Sequence, residues 1–176
     1  LEAALWSASE EGRYPVLCDT SPCTLRMIEQ FERPLQVYEP VGFINGCLLP
    51  HLRQVEKRRS IALHVTCSSR KMGLADSMRR LAELCAEQVT LSEEKGCCGF
   101  AGDKGFTRPE LNASALKRLR ESLPAGCEMG VSNSRTCEIG LSLHAGIPYQ
   151  SIVYLVDSCF EGKKNRRPDA TLPTGR

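Results

Sequence analysis

At 176 residues, 41% of them hydrophobic and 25% charged, the chain has the profile of one soluble globular domain, or of two small ones sharing a core. Its formal charge of +2 is concentrated in the stretch 161–176, where five basic residues face two acidic ones; a Pro- and Gly-containing basic end of this kind reads as a mobile, solvated tail rather than a nucleic-acid surface. No apolar run approaches the roughly 20 residues that cross a bilayer, no basic leader opens the chain, and the absence of an initiator Met is expected of a processed or excised piece.

Short β-like runs alternate with helical patterns along the chain. Tyr14 to Asp19 reads as a strand, and Ser21-Pro22 starts a helix with proline in its first turn. A second short strand, Leu35 to Tyr38, precedes a helix through Phe43, Leu48, Leu49, Leu52 and Val55, broken near Gly46 and Pro50. The apolar, β-branched run Ile61 to Val65 predicts a buried strand, and Leu74, Met78, Leu81, Leu84 and Cys85 keep helical spacing. Gln88 to Leu91 reads as the next strand. A glycine-rich loop, Gly96 to Gly105, then leads to a helix that Thr107-Arg108-Pro109-Glu110 would open as a capping box. A strand near Met129 to Val131 is followed by Ser132-Asn133-Ser134, N-cap candidates for a helix through His144 that Gly146 and Pro148 end. Ser151 to Leu155 reads as a closing strand. This alternation predicts an α/β fold, with mostly parallel strands and flanking helices.

An internal repeat accompanies the pattern. Val16-Leu17-Cys18-Asp19-Thr20-Ser21-Pro22-Cys23 parallels Val131-Ser132-Asn133-Ser134-Arg135-Thr136-Cys137, with Val37-Tyr38 and Val153-Tyr154 as matching strands downstream. The expected organisation is a partial first unit over residues 1–55, a complete second unit over 56–160, and the tail over 161–176.

Ten cysteines are too many to ignore and sit in a chain too large to need a disulfide scaffold. Cys47 and Cys85 fall in apolar helical patterns, where a buried free thiol is an ordinary small hydrophobe. Cys67 ends a strand, Cys97-Cys98-Gly99 lies in a loop after a strand, and Cys137 lies at a helix start after a strand. In a parallel α/β sheet the loops leaving the strand ends gather on one edge, where such folds place ligands, so the four thiols can converge. Gly99 would let backbone come close to a cluster, and a helix N-terminus would stabilise the Cys137 thiolate. A single zinc needs four crowded sulfurs, whereas a cluster spreads adjacent cysteines over different irons. Spacing alone leaves iron–sulfur, zinc and unrelated buried thiols all open, along with a dithiol enzyme using Cys97 and Cys98. His64 is a candidate ligand or a residue to tune a cluster, or else a strand histidine bonded to backbone. Arg135 is a candidate to neutralise a cluster, or a surface ion-pair partner. No catalytic residue stands out, and no dinucleotide fingerprint or phosphate loop is present.

The strings His64-Val65-Thr66-Cys67-Ser68-Ser69-Arg70-Lys71-Met72-Gly73, Cys97-Cys98-Gly99-Phe100-Ala101-Gly102-Asp103 and Ser132 to Leu141 resemble the CCG cysteine-rich domain. That domain occurs in heterodisulfide reductases, in the iron–sulfur component of glycolate oxidase and in anaerobic glycerol-3-phosphate dehydrogenase. Over residues 1–160 the chain looks similar to the C-terminal part of large bacterial FAD-linked D-lactate dehydrogenases with fused iron–sulfur modules. The resemblance implies a [4Fe–4S] cluster on Cys67, Cys97, Cys98 and Cys137, or zinc there. FAD would lie on another domain of a parent chain, with electrons passing to an acceptor such as a quinone or cytochrome. It also implies a cytoplasmic location, or a peripheral one at the inner membrane. Leu1 would then start just after the first repeat's own Cys-Cys-Gly. Ser134 and Thr20 stand where related sites carry an extra cysteine, which argues against a five-cysteine cluster.

Overall fold

The computed structural model describes residues 1–91 and 97–162; the expected basic tail therefore lies almost wholly outside the described residues. The helices are α1 (Glu2–Ala8), α2 (Ser21–Gln30), α3 (Pro40–Phe43), α4 (Cys67–Lys71), α5 (Ala75–Cys85), α6 (Lys104–Thr107), α7 (Pro109–Ala115), α8 (Leu119–Ser122), α9 (Arg135–Ala145) and α10 (Ile152–Cys159). The strands are β1 (Val16–Leu17), β2 (Val37–Tyr38), β3 (Leu52–Gln54), β4 (Arg58–Leu63), β5 (Ala86–Leu91), β6 (Met129–Ser132), β7 (Tyr149–Ser151) and β8 (Phe160–Gly162).

A four-stranded sheet ordered β5-β4-β6-β7, parallel throughout, forms the centre. Strand alternation divides the central strand β4 between two cores. Ile61 and Leu63 point into one, with Met78, Leu81 and Cys85 of α5, and with Ile152, Leu155 and Cys159 of α10. Ala62 points into the other, with Cys98, Phe100, Leu116, Leu119 and Leu141. Helices therefore cover both faces, which is why the second half of β4, Ile61 to Leu63, is apolar on both sides. The α/β expectation holds. A small parallel pair, β1-β2, and an antiparallel pair, β3-β8, complete the strands among the described residues.

The two segments of the sequence repeat have the same order. β1-α2-β2 and β6-α9-β7 are each strand, helix and parallel strand. Three local expectations are corrected. The run after Ser151 is helix, not strand: Ile152, Leu155, Val156 and Cys159 are buried at helical spacing while Tyr154 is exposed. Ser151 caps it by accepting a hydrogen bond from Val153 N, so the counterpart of Val37-Tyr38 is Tyr149–Ser151. The helix expected through Val55 ends sooner, passing from α3 through a wide turn at Ile44–Leu48 and a tight one at Leu49–His51 into β3. Pro50, which lacks an N–H, accounts for the break. Finally, Thr107 closes α6 instead of capping α7, whose N-cap is Arg108. Among the described residues, no helix is long and apolar enough to cross a membrane.

Candidate metal centre

The four cysteines singled out from sequence all follow the carboxyl ends of parallel strands. Cys67 opens α4 four residues after β4, Cys97 and Cys98 follow β5, and Cys137 lies in the first turn of α9, directly after β6. Since these strands are parallel, their exits share one edge of the sheet. Cys127 precedes β6 and so lies at the other end of that strand. Four strand residues at about 3.3 Å each separate it from the Cys137 side by roughly 13 Å.

At this edge two of the thiols are in contact. Cys98 Sγ lies 3.1 Å from Cys137 Sγ. Cys97 interacts thiol to thiol with Cys67, and Cys137 feels the charge of Cys67. The contact with Cys137, together with the Phe100 backbone N–H, brings the Cys98 thiol down to about 6 against the opposing effect of burial. Cys137 moves the other way, held protonated by Cys98 and by burial. Burial also raises Cys97, although Gly99 N donates to its sulfur at 3.4 Å. Sulfur is a soft donor, of the kind that suits iron–sulfur clusters and zinc.

Gly99 shapes the loop. Its φ of +76° is in the left-handed region, and an added Cβ would come 2.6 Å from Leu111 O and 3.0 Å from Ala115 Cβ. The loop thus rests directly on α7. Asn112, one residue further along α7, is 2% exposed and donates from Nδ2 to Cys98 O at 2.6 Å. Asn112 reaches that carbonyl beside Gly140 of α9, where a Cβ would come within 2.5 Å of its amide nitrogen. Sequence reading missed both Asn112 and Gly140. A glycine inside a helical pattern three residues after a candidate ligand was the available signal.

The loops carrying Cys67 and Cys137 are tied together. Thr66 Oγ1 accepts from Ser69 N at 3.2 Å as the N-cap of α4, and donates to Asn133 Oδ1 at 3.0 Å. Asn133 Nδ2 donates to Ser69 Oγ at 2.6 Å and to Glu39 Oε1 at 2.8 Å. Ser21 Oγ meets Thr66 Oγ1 at 3.1 Å and Ser68 Oγ at 2.6 Å.

Comparison with known families agrees with this arrangement over part of the chain. Residues 61–142 match the CCG cysteine-rich domain. The matched stretch runs from within β4 into α9 and contains all four thiols, Gly99 and Asn112. The match is consistent with an iron–sulfur or metal-binding module. No curated protein and no solved structure matches the chain.

Among the described residues no three His, Cys, Asp or Glu side chains form a ready-made metal cage. The sulfurs of Cys98 and Cys137 stand 3.1 Å apart. A tetrahedral zinc with bonds of about 2.3 Å sets its sulfurs about 3.8 Å apart. A cluster sets them wider, over separate irons, so either would spread the Cys98–Cys137 pair. The donor chemistry of the cysteine-rich domain fits such a group.

The remaining candidates fall as follows. His64 is 1% exposed and continues β4, its N–H donating to Val131 O at 2.9 Å. Burial, aided by the charge of Arg70, lowers its imidazole to about 4. By strand alternation it shares the face of Ala62 and hence of the Cys98 core. The Arg135 guanidinium is mostly exposed and pairs with Glu138 Oε2 at 3.4 Å. Cys85 and Cys159 are buried together in the α5–α10 core, and Cys47 is half-buried. Cys18 and Cys23 lie in the first unit, lining a groove of about 650 Å³ with Val16, Leu17 and Met27.

Proposed function

We propose that Cys67, Cys97, Cys98 and Cys137 hold an iron–sulfur cluster, and that the chain serves as an electron-transfer module of an oxidoreductase. What supports this reading is that the four cysteines follow three parallel strands toward one sheet edge, where the Cys98 and Cys137 sulfurs lie 3.1 Å apart. A bound cluster would supply one-electron chemistry. The chain's residues set its surroundings: Gly99 brings backbone N–H against Cys97, and Asn112 fixes the Cys98 carbonyl. A helix N-terminus stabilises negative charge at Cys137. His64 and Arg135 complete the candidate surroundings.

The resemblance to FAD-linked D-lactate dehydrogenases supports a finer reading. In it the module accepts electrons from a flavin domain of the same parent protein, acting on D-lactate or a related 2-hydroxyacid. Flavin and further iron–sulfur domains are then its partners, and a quinone or cytochrome its acceptor, in the cytoplasm or at the inner face of the membrane. A zinc-stapled docking domain is the second reading. It is favoured by the 3.1 Å Cys98–Cys137 separation, nearer to a zinc edge than to cluster spacing.

Anaerobic reconstitution with iron and sulfide, followed by metal and sulfide analysis and a visible spectrum, separates the two. About four irons and four sulfides per chain are expected for the cluster. Serine in place of any of Cys67, Cys97, Cys98 or Cys137 should abolish or bleach the spectrum, whereas serine at Cys18, Cys85, Cys127 or Cys159 should leave it. Retention of the chromophore in all four ligand variants would sink the proposal, and tight zinc binding without sulfide uptake would select the second reading.

A further inference from the structure

We propose that Glu39 is a positioning residue for the metal site: acting through Asn133, it holds the exits of β4 and β6 together and so sets where Cys67 and Cys137 stand. The proposal rests on the metal-site reading above.

Glu39 lies outside the matched stretch 61–142, in the turn that leaves β2. It is 3% exposed, and burial raises its carboxyl above the usual carboxylate range against the bonds from Asn133 and the Val41 and Gly42 backbone. A buried carboxyl group is costly to keep unless every lone pair has a use. Here Oε2 accepts from Val41 N at 2.8 Å and Oε1 from Asn133 Nδ2 at 2.8 Å. Asn133 has no spare capacity to turn, because its oxygen is taken by Thr66 and its nitrogen by Ser69 as well. Its flanking positions matter: Thr66 directly precedes Cys67, and Asn133 precedes Ser134, the N-cap of α9, whose first turn carries Cys137. A second tether comes from the same segment, where Ser21 grips the hydroxyls on either side of Cys67, Thr66 and Ser68. The first fifty-odd residues thus reach into the scaffold of a site whose thiols all lie elsewhere.

Only an acceptor can face Asn133 Nδ2. Glutamine at position 39 has one oxygen for two donors, so Glu39→Gln orphans either Asn133 or Val41 N. Adding Asn133→Asp reverses the polarity, letting the new glutamine amide donate to the new carboxylate while Thr66 and Ser69 still find acceptors.

The test is anaerobic titration of the metal-free full chain with cobalt(II), reading the thiolate-to-cobalt absorption band, alongside thermal unfolding of the same samples. Glu39→Gln should weaken cobalt binding about tenfold, and the double variant Glu39→Gln/Asn133→Asp should recover most of the loss. A Glu39→Gln protein with a lower melting temperature but unchanged cobalt affinity has a structural glutamate only, and the proposal fails. It fails equally if the folded double variant binds no better than the single one. Should Glu39→Gln not fold, Ser21→Ala carries the test: weakening of at least about threefold supports the tether, and unchanged affinity overturns it. Absence of a thiolate band in the unmodified protein would instead defeat the metal-site reading itself, a result visible without any variant.

Discussion

Gly99→Ala tests how the Cys-Cys-Gly loop is seated. At φ +76° an alanine is forced into the left-handed region, at a cost of about 1–2 kcal/mol. The new Cβ would also stand 2.6 Å from Leu111 O and 3.0 Å from both Leu111 C and Ala115 Cβ. Two of these are backbone atoms of α7, which cannot swing aside as a long side chain would. Overpacking of this kind costs about 1–3 kcal/mol, so the total should be roughly 2–5 kcal/mol. Relief requires loop and helix to part, which would lengthen the 2.6 Å bond from Asn112 to Cys98 O and disturb the site as well as the fold. Gly102→Ala is the control, since Gly102 has φ +72° but nothing within 4 Å of its added Cβ. Urea unfolding of the two variants beside the unmodified protein separates backbone strain from collision. Gly99→Ala should lose at least about 1 kcal/mol more than Gly102→Ala. Equal losses, or a Gly99→Ala protein within about 0.5 kcal/mol of the original, would show that loop and helix are not in contact as described.

Asn112→Ala removes the side-chain donor to the Cys98 carbonyl and should cost about 1–3 kcal/mol, measured by the same unfolding; Asn112→Asp, which sets a carboxylate against that carbonyl, should cost more. His64 predicts an acid sensitivity. Its imidazole, lowered to about 4 from 6.5, binds its proton in the unfolded chain before it does in the folded one. The stability it confers is therefore complete above about pH 6.5 and declines as pH falls toward 4. Between pH 7 and pH 5 the stability difference between the original protein and His64→Gln should shift by about 2 kcal/mol against the original. Parallel urea curves at the two pH values check this, and a pH-independent difference would mean His64 titrates normally.

Much of the site was legible in the sequence because the relevant signals are local. Alternation of strand and helix patterns needs only near neighbours, and it implied parallel strands whose exits share an edge. Placing Cys67, Cys97, Cys98 and Cys137 after strand ends put all four toward that edge, where the sulfurs of Cys98 and Cys137 stand 3.1 Å apart. Local signals also misled where two periods overlap. Ile152-Val153-Tyr154-Leu155-Val156 is β-branched and apolar, yet its burial follows a helix because β7 stops at Ser151 and a core is waiting for α10. Cys127 lies only ten residues from Cys137 in the chain, and the direction of β6 sets it at the other end of that strand.

The sequence by itself determined the α/β class, the candidate thiols and the glycine that their loop requires, all features written within a few residues of one another. Tertiary structure alone decided what holds them. Glu39 meets Asn133 across 94 residues, and Ser21 meets Ser68 across 47; Asn112 finds the Cys98 carbonyl from a separate helix. Each is a polar side chain of ordinary type, at home on a surface. It becomes part of the site because the fold buries it, and a buried polar group must find its partner wherever in the chain that partner lies.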